Sequence, residues 1–104
     1  MVTFGLHAGA IEQSGERAQG KAIAFDESKG NCLACHAIED GTMAGNIGPP
    51  LKNIQERFPT RELLRAHIYD ASALVPDTIM PPYGRHEILT EDELNKVVSY
   101  IFTL

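Results

Sequence analysis

The sequence predicts an all-α fold, and three observations carry that prediction. A capped amphipathic stretch closes the chain. A second apolar stretch at helical spacing occupies its middle. No part alternates strands with helices in a βαβ pattern. With 104 residues there is room for a single domain around one core, and residues 1–104 are expected to form it.

The elements follow in order. Residues 1–10 have no clear period and read as an N-terminal arm. From Ile11 to about Phe25 the residues favour helix, with Ala18, Ala22, Ile23 and Phe25 as apolar points. Gly15 and Gly20 weaken this helix intrinsically. Gly20 and Ala24 make a small-x-x-x-small pair, which predicts a close crossing by another helix, since an isolated helical glycine usually has a packing reason. Glu39 to Leu51, with Gly41, Gly45, Gly48, Pro49 and Pro50, reads as a loop. Pro59-Thr60 then opens a helix with Thr60 as its N-cap, and Leu63, Leu64, His67, Ile68 and Ala71 recur at helical spacing. Ser72 to Ile88, with Pro76, Pro81, Pro82 and Gly84, is a second irregular stretch.

The last helix has the clearest signals. Thr90-Glu91-Asp92-Glu93 is a capping box with Thr90 at N-cap and Glu93 at N3, and its acids suit the positive end of the helix dipole. Leu94, Val97, Val98, Ile101 and Phe102 follow as an i, i+3, i+4, i+7, i+8 stripe.

Composition narrows the function classes. The apolar share is 43% and the charged share 22%, ordinary for a folded protein. A net charge of −5 argues against nucleic acid as a partner. No apolar run approaches the roughly 20 residues a span requires, so membrane insertion is not expected.

Both cysteines lie in Cys32-Leu33-Ala34-Cys35-His36. Cys-x-x-Cys-His reads as covalent attachment of one c-type haem. Two thiols one helical turn apart can each add to a vinyl group of the same porphyrin, and the adjacent His36 then lies under the iron as proximal ligand. A structural zinc would need four ligands, usually two such pairs. A thioredoxin-like dithiol would sit at a strand-to-helix junction. A plain disulfide would not require His36. Haem is the reading that uses all three residues. It also explains how short helices and long loops can fold, because the loops gain a large apolar surface to pack on, and without haem no stable fold is expected.

Such attachment occurs outside the bacterial cytoplasm, so a periplasmic location is expected. Residues 1–20 contain no basic n-region and no apolar h-region, which is read as a signal peptide already removed.

The sixth iron ligand decides what the haem does. An open position would bind oxygen or peroxide, and a second strong ligand would make an electron carrier. The candidates are Met43, Met80, His7, His67 and His86. Met80 is preferred. Pro81 and Pro82 stiffen the backbone directly after its sulfur, and enough chain separates it from His36 to reach the other haem face. Met43 stands close to His36 in a glycine-rich loop. A proximal histidine usually gives its second ring N–H to a carbonyl or carboxylate. Gly48-Pro49-Pro50-Leu51 is placed to supply one, with Pro49 the choice and a mere turn the alternative.

At this point the residues resemble a family. Cys32 to His36, Gly48-Pro49 and Met80 are similar to class I cytochromes c, which implies short helices wrapped around one covalently bound haem. A narrower likeness runs from Lys29 to Leu104. Lys29 to His36, Gly45-Asn46-Ile47-Gly48-Pro49-Pro50-Leu51, Arg57-Phe58-Pro59, Leu64-Arg65, Tyr69-Asp70-Ala71, Met80 to His86 and Ile88-Leu89-Thr90 resemble the SoxX family. SoxX proteins are monohaem subunits of the SoxAX cytochrome complex, an L-cysteine S-thiosulfotransferase of bacterial thiosulfate oxidation. The resemblance implies an electron-accepting subunit that carries no substrate-handling site of its own. It implies a SoxA-like c-type cytochrome partner and transient contact with the SoxYZ carrier and a soluble electron acceptor. By matching positions, Cys32 and Cys35 would be the thioether anchors, and His36 and Met80 the axial ligands.

Two alternatives remain open from the sequence. One is a free-standing monohaem electron shuttle using the same residues, and the other is a small haem enzyme or gas binder in which Met80 is replaceable. Leu74, Val75, Pro76, Ile79, Met80, Pro81, Pro82 and Tyr83, with Asp77 the only charge among them, are expected to form an apolar rim with Ile47 to Leu51. That suits a lasting subunit contact better than charge-steered transient docking.

Overall fold

The computed structural model describes residues 15–104. The expected arm over residues 1–10 and the first residues of the expected helix from Ile11 lie outside the described residues. Among the described residues the protein is helical and contains no strand. Helix α1 covers residues 15–25, α2 Ile54–Arg57, α3 Arg61–Tyr69 and α4 Glu91–Ile101. Two 3-10 turns, Cys32–Ala34 and Ala71–Ala73, interrupt the connections.

Helix α4 is the axis of the core. Thr90 accepts from the Glu93 backbone N–H and the Glu93 carboxylate accepts from the Thr90 N–H, so the capping box forms as expected. Leu94, Val97, Val98 and Ile101 are buried, as the stripe predicts, and Phe102, just past the helix end, is half-buried. The buried surface is wider than the stripe, because Ser99 and Tyr100 are also covered. The reason is that α4 meets neighbours on more than one side. Phe25 of α1 packs edge-on against Tyr100 at 6.2 Å between centroids. Gly20 of α1 lies directly against the Lys96 carbonyl, where any Cβ would overlap that backbone. Ala24 is fully buried. The crossing point expected from Gly20 and Ala24 is therefore real, and it joins α1 to α4.

Helix α3 packs against α4 from another side. Thr60 caps it by accepting from Leu63 N–H at 3.2 Å. Leu64 and Ile68 enter the core, whereas Leu63 is 53% exposed and does not share the apolar face expected of it. Polar bonds fix the α3–α4 angle. Arg61 donates to the Asn95 carbonyl and Arg65 to the Asn95 side chain, both at 2.9 Å, and Arg65 also pairs with Glu91. Ala71 is buried as expected, but it belongs to the 3-10 turn after α3, which Asp70 caps through Ser72 N–H.

The single-turn helix α2 was not expected from the sequence. Its N-cap, Asn53, has φ 51° and gives no side-chain cap. The Ile54 N–H instead donates to the Leu104 carbonyl at 3.1 Å, so the chain terminus holds this turn. Ile54 is almost fully buried as a result.

Candidate functional site

The site is built on the turn at Cys32–Ala34. Both the Cys35 and His36 N–H groups donate back to the Cys32 carbonyl, at 3.2 and 2.9 Å. In a 3-10 turn residues i and i+3 eclipse, which brings the side chains of Cys32 and Cys35 to one side. Both are free thiols, and both line one cavity together with His36. Burial pushes the Cys32 thiol up to about 11, the opposite of an activated redox cysteine. Among the described residues no cluster of three or more His, Cys, Asp or Glu is arranged to hold a metal.

The 39–51 loop is pinned to this turn by three backbone bonds. Gly45 N–H donates to Leu33 O at 2.7 Å, Gly48 N–H to Cys35 O at 2.7 Å, and Leu51 N–H to Ala37 O at 2.8 Å. That pinning places the Pro49 carbonyl 2.7 Å from His36 Nδ1. A carbonyl only accepts, so Nδ1 carries the proton and Nε2 of the neutral ring keeps the lone pair. Gly48 lies against the same imidazole so closely that a Cβ there would overlap the ring. The glycine is what lets the loop reach the histidine.

Met80 reaches the cavity from the opposite part of the chain. Its N–H donates to the Thr78 hydroxyl at 3.1 Å, which shapes the backbone immediately before Pro81. Tyr83 is buried beyond the two prolines and donates to the Gly30 carbonyl at 2.6 Å. This bond ties the Met80 loop to the segment that precedes Cys32. Lys29 adds a second tie, pairing with Glu93 at the start of α4 at 2.5 Å.

The other sulfur and histidine candidates separate clearly. Met43 is fully exposed, at φ 56°, and lies outside the cavity lining. His86 is exposed and also outside it, whereas His67 lines the cavity. His7 lies outside the described residues. Of the expected rim, Ile47, Val75 and Ile79 are exposed at the cavity margin, and Leu74 is 68% exposed beside them. Tyr83 is not part of any rim, because it points inward to Gly30. Sequence reasoning missed the Thr78 and Tyr83 hydroxyls. Thr78, two residues before Met80, carried a local signal; Tyr83, bonded across the fold, carried none.

The remaining lining is mostly apolar: Leu51, Ile54, Phe58, Leu64, Ile68 and Val97 are among its walls. The cavity measures about 310 Å³. Two thiols on one side, a histidine with its Nε2 lone pair available, a thioether and an apolar enclosure together fit a covalently attached porphyrin. They fit neither a zinc site nor a redox dithiol.

Comparison with known proteins agrees with this geometry. Residues 17–104 match the cytochrome c family. An uncharacterised lipoprotein of Aquifex aeolicus (strain VF5) is 35% identical over 74 residues, which cover 70% of this chain and 36% of that protein. The chain thus spans about a third of the length of that relative. No helix among the described residues is long and apolar enough to cross a membrane. From residue 17 to its end the chain belongs to the cytochrome c family, whose members carry covalently bound haem c and transfer electrons.

Proposed function

We propose that this protein is a periplasmic monohaem electron carrier of the SoxX type, the electron-accepting subunit of a SoxAX complex. Cys32 and Cys35 are its thioether anchors, and His36 and Met80 its axial ligands. The observation that carries the ligand assignment is the convergence of these four side chains on one apolar cavity, with His36 oriented by the Pro49 carbonyl. When bound, the haem supplies a one-electron change at iron. The chain's own residues do the rest. Pro49 holds the imidazole in one tautomer. Thr78 and the two prolines hold the Met80 backbone. Ile54, Leu64, Ile68 and Val97 keep water from the ligands. Substituting Met80→Ala is expected to abolish the sulfur-to-iron charge-transfer band of the oxidised protein. It should also lower the reduction potential by a sizeable part of the roughly 0.8 V over which axial ligands act. Persistence of the band would reject Met80.

The subunit assignment draws on the segments shared with SoxX and on the exposed apolar margin at Ile47, Leu74, Val75 and Ile79. That margin packs on a SoxA-like cytochrome, which hands electrons to this haem for delivery to a soluble acceptor while SoxYZ carries the substrate. Protein purified from its native source should bring a mono- or dihaem SoxA-like chain with it. Val75→Glu should weaken that association at least tenfold and slow thiosulfate-dependent reduction of this haem. A partner-free monomer that reacts equally well with and without the substitution would instead identify a free shuttle.

A further inference from the structure

Three of the eight residues from Pro76 to Tyr83 are prolines, so the stretch that carries Met80 is poor in backbone donors. Its hydrogen bonds divide accordingly. Just before it, Leu74 and Val75 N–H donate to Ala71 O at 3.1 and 2.9 Å, and just after it Gly84 and Arg85 N–H donate to Tyr69 O, both at 3.1 Å. Both ends are thus tied to α3 and the turn that follows it. Between them the bonds are local among the described residues: Thr78 N–H to Val75 O, Met80 N–H to the Thr78 hydroxyl and His86 N–H to Pro82 O. The Tyr83 hydroxyl is the exception. It donates at 2.6 Å to the carbonyl of Gly30, two residues before the first thiol, and both residues line the cavity.

The acceptor is fixed and has no substitute donor. Gly30 is buried, its N–H donates to Ile23 O at 3.1 Å, and a Cβ on it would press on the α1 backbone. No other group among the described residues donates to its carbonyl. A loop that swings away therefore orphans a buried carbonyl, which costs more than the bond itself is worth. Met80 also packs on the core, but apolar contact is non-directional and does not fix a loop's position. We propose that the Tyr83 hydroxyl is the latch that holds the Met80 loop closed, which makes Tyr83 a positioning residue for the sixth iron ligand. The latch rests on the assignment of Met80 as that ligand.

The test uses haem-loaded protein in four forms: wild type, Tyr83→Phe, Met80→Ala and the double variant. Tyr83→Phe keeps the ring and removes only the hydroxyl. Imidazole, which competes with Met80 for ferric iron, is the probe, and its binding rate is read by stopped flow. The latch predicts binding about tenfold faster in Tyr83→Phe, the factor expected for a buried bond of this class. In the Met80→Ala background, where no ligand has to be displaced, removing the hydroxyl should leave the rate unchanged. Equal rates in wild type and Tyr83→Phe overturn the latch. So does an equal gain in the Met80→Ala background, because the hydroxyl would then act on cavity access or general stability and not through Met80. Proton NMR of wild-type protein gives a second reading if Tyr83→Phe fails to fold. The Tyr83 hydroxyl proton should exchange slowly and lose its resonance once imidazole saturates the iron, and a resonance that persists overturns the latch. Met80→Ala that keeps the sulfur-to-iron band overturns the ligand assignment itself, and the latch with it.

Discussion

Protein carrying Cys32→Ser together with Cys35→Ser should contain no covalent haem and should lose most of its helical signal. The expected loss is large because the cavity is central. Ile54, Leu64, Ile68, Val97 and Ile101, from α2, α3 and α4, belong to the core and also form its wall. Without an occupant they border a void, and an empty core cavity costs roughly 24 cal/mol per Å³, about 7 kcal/mol for one of this size. That loss is comparable to the about 5–15 kcal/mol that holds a typical domain folded. Far-ultraviolet circular dichroism and a haem stain on a denaturing gel are the measurements. A cooperative, wild-type-like melt in haem-free protein would show that the core stands without the cofactor.

The second large effect is expected far from the thiols. Gly20→Val should destabilise the holoprotein by about 3 kcal/mol or more, since overpacking usually costs about 1–3 and the obstacle here is backbone. A side chain at this position meets the Lys96 carbonyl and the Tyr100 Cβ, neither of which can rotate away. Relief requires α1 to move off α4, which also parts Phe25 from Tyr100. Gly15→Val is the control, because a Cβ there meets nothing within 4 Å. Denaturant melts of the two variants should differ in midpoint while sharing the same haem spectrum. Equal midpoints would mean that the α1–α4 crossing contributes little.

These features differ in how far the sequence revealed them, and the difference is one of distance along the chain. The Thr90–Glu93 box is spelled out within four residues, and the α4 stripe within two turns. Gly20 and Ala24 announced a crossing through their size, although not which helix would cross. A prolyl carbonyl beside His36 was legible because the loop is short and rich in glycine and proline. Helix α2 was not, since its support comes from the far terminus, where Leu104 accepts the Ile54 N–H. Tyr83 looked like surface cover because its hydroxyl partner, Gly30, is 53 residues away. Leu63 fitted the helical period yet faces outward, because α3 packs through the narrower face of Leu64 and Ile68.

The bond between His36 and Pro49 has one more consequence. An electron transfer is fast when few nuclei must shift as charge arrives or leaves. Here the imidazole is gripped at Nδ1 by a carbonyl whose own position is set by the backbone bonds of Gly48 and Leu51, and it lies close against a residue with no side chain. Swinging or tilting the ring would break that grip, so a haem held by His36 as proposed would keep one histidine geometry in both charge states. The acceptor is also a neutral carbonyl and not a carboxylate, which leaves the ring a weaker donor to a metal. With His36 as the proposed ligand, the same short loop would keep the rearrangement energy small and favour the reduced state.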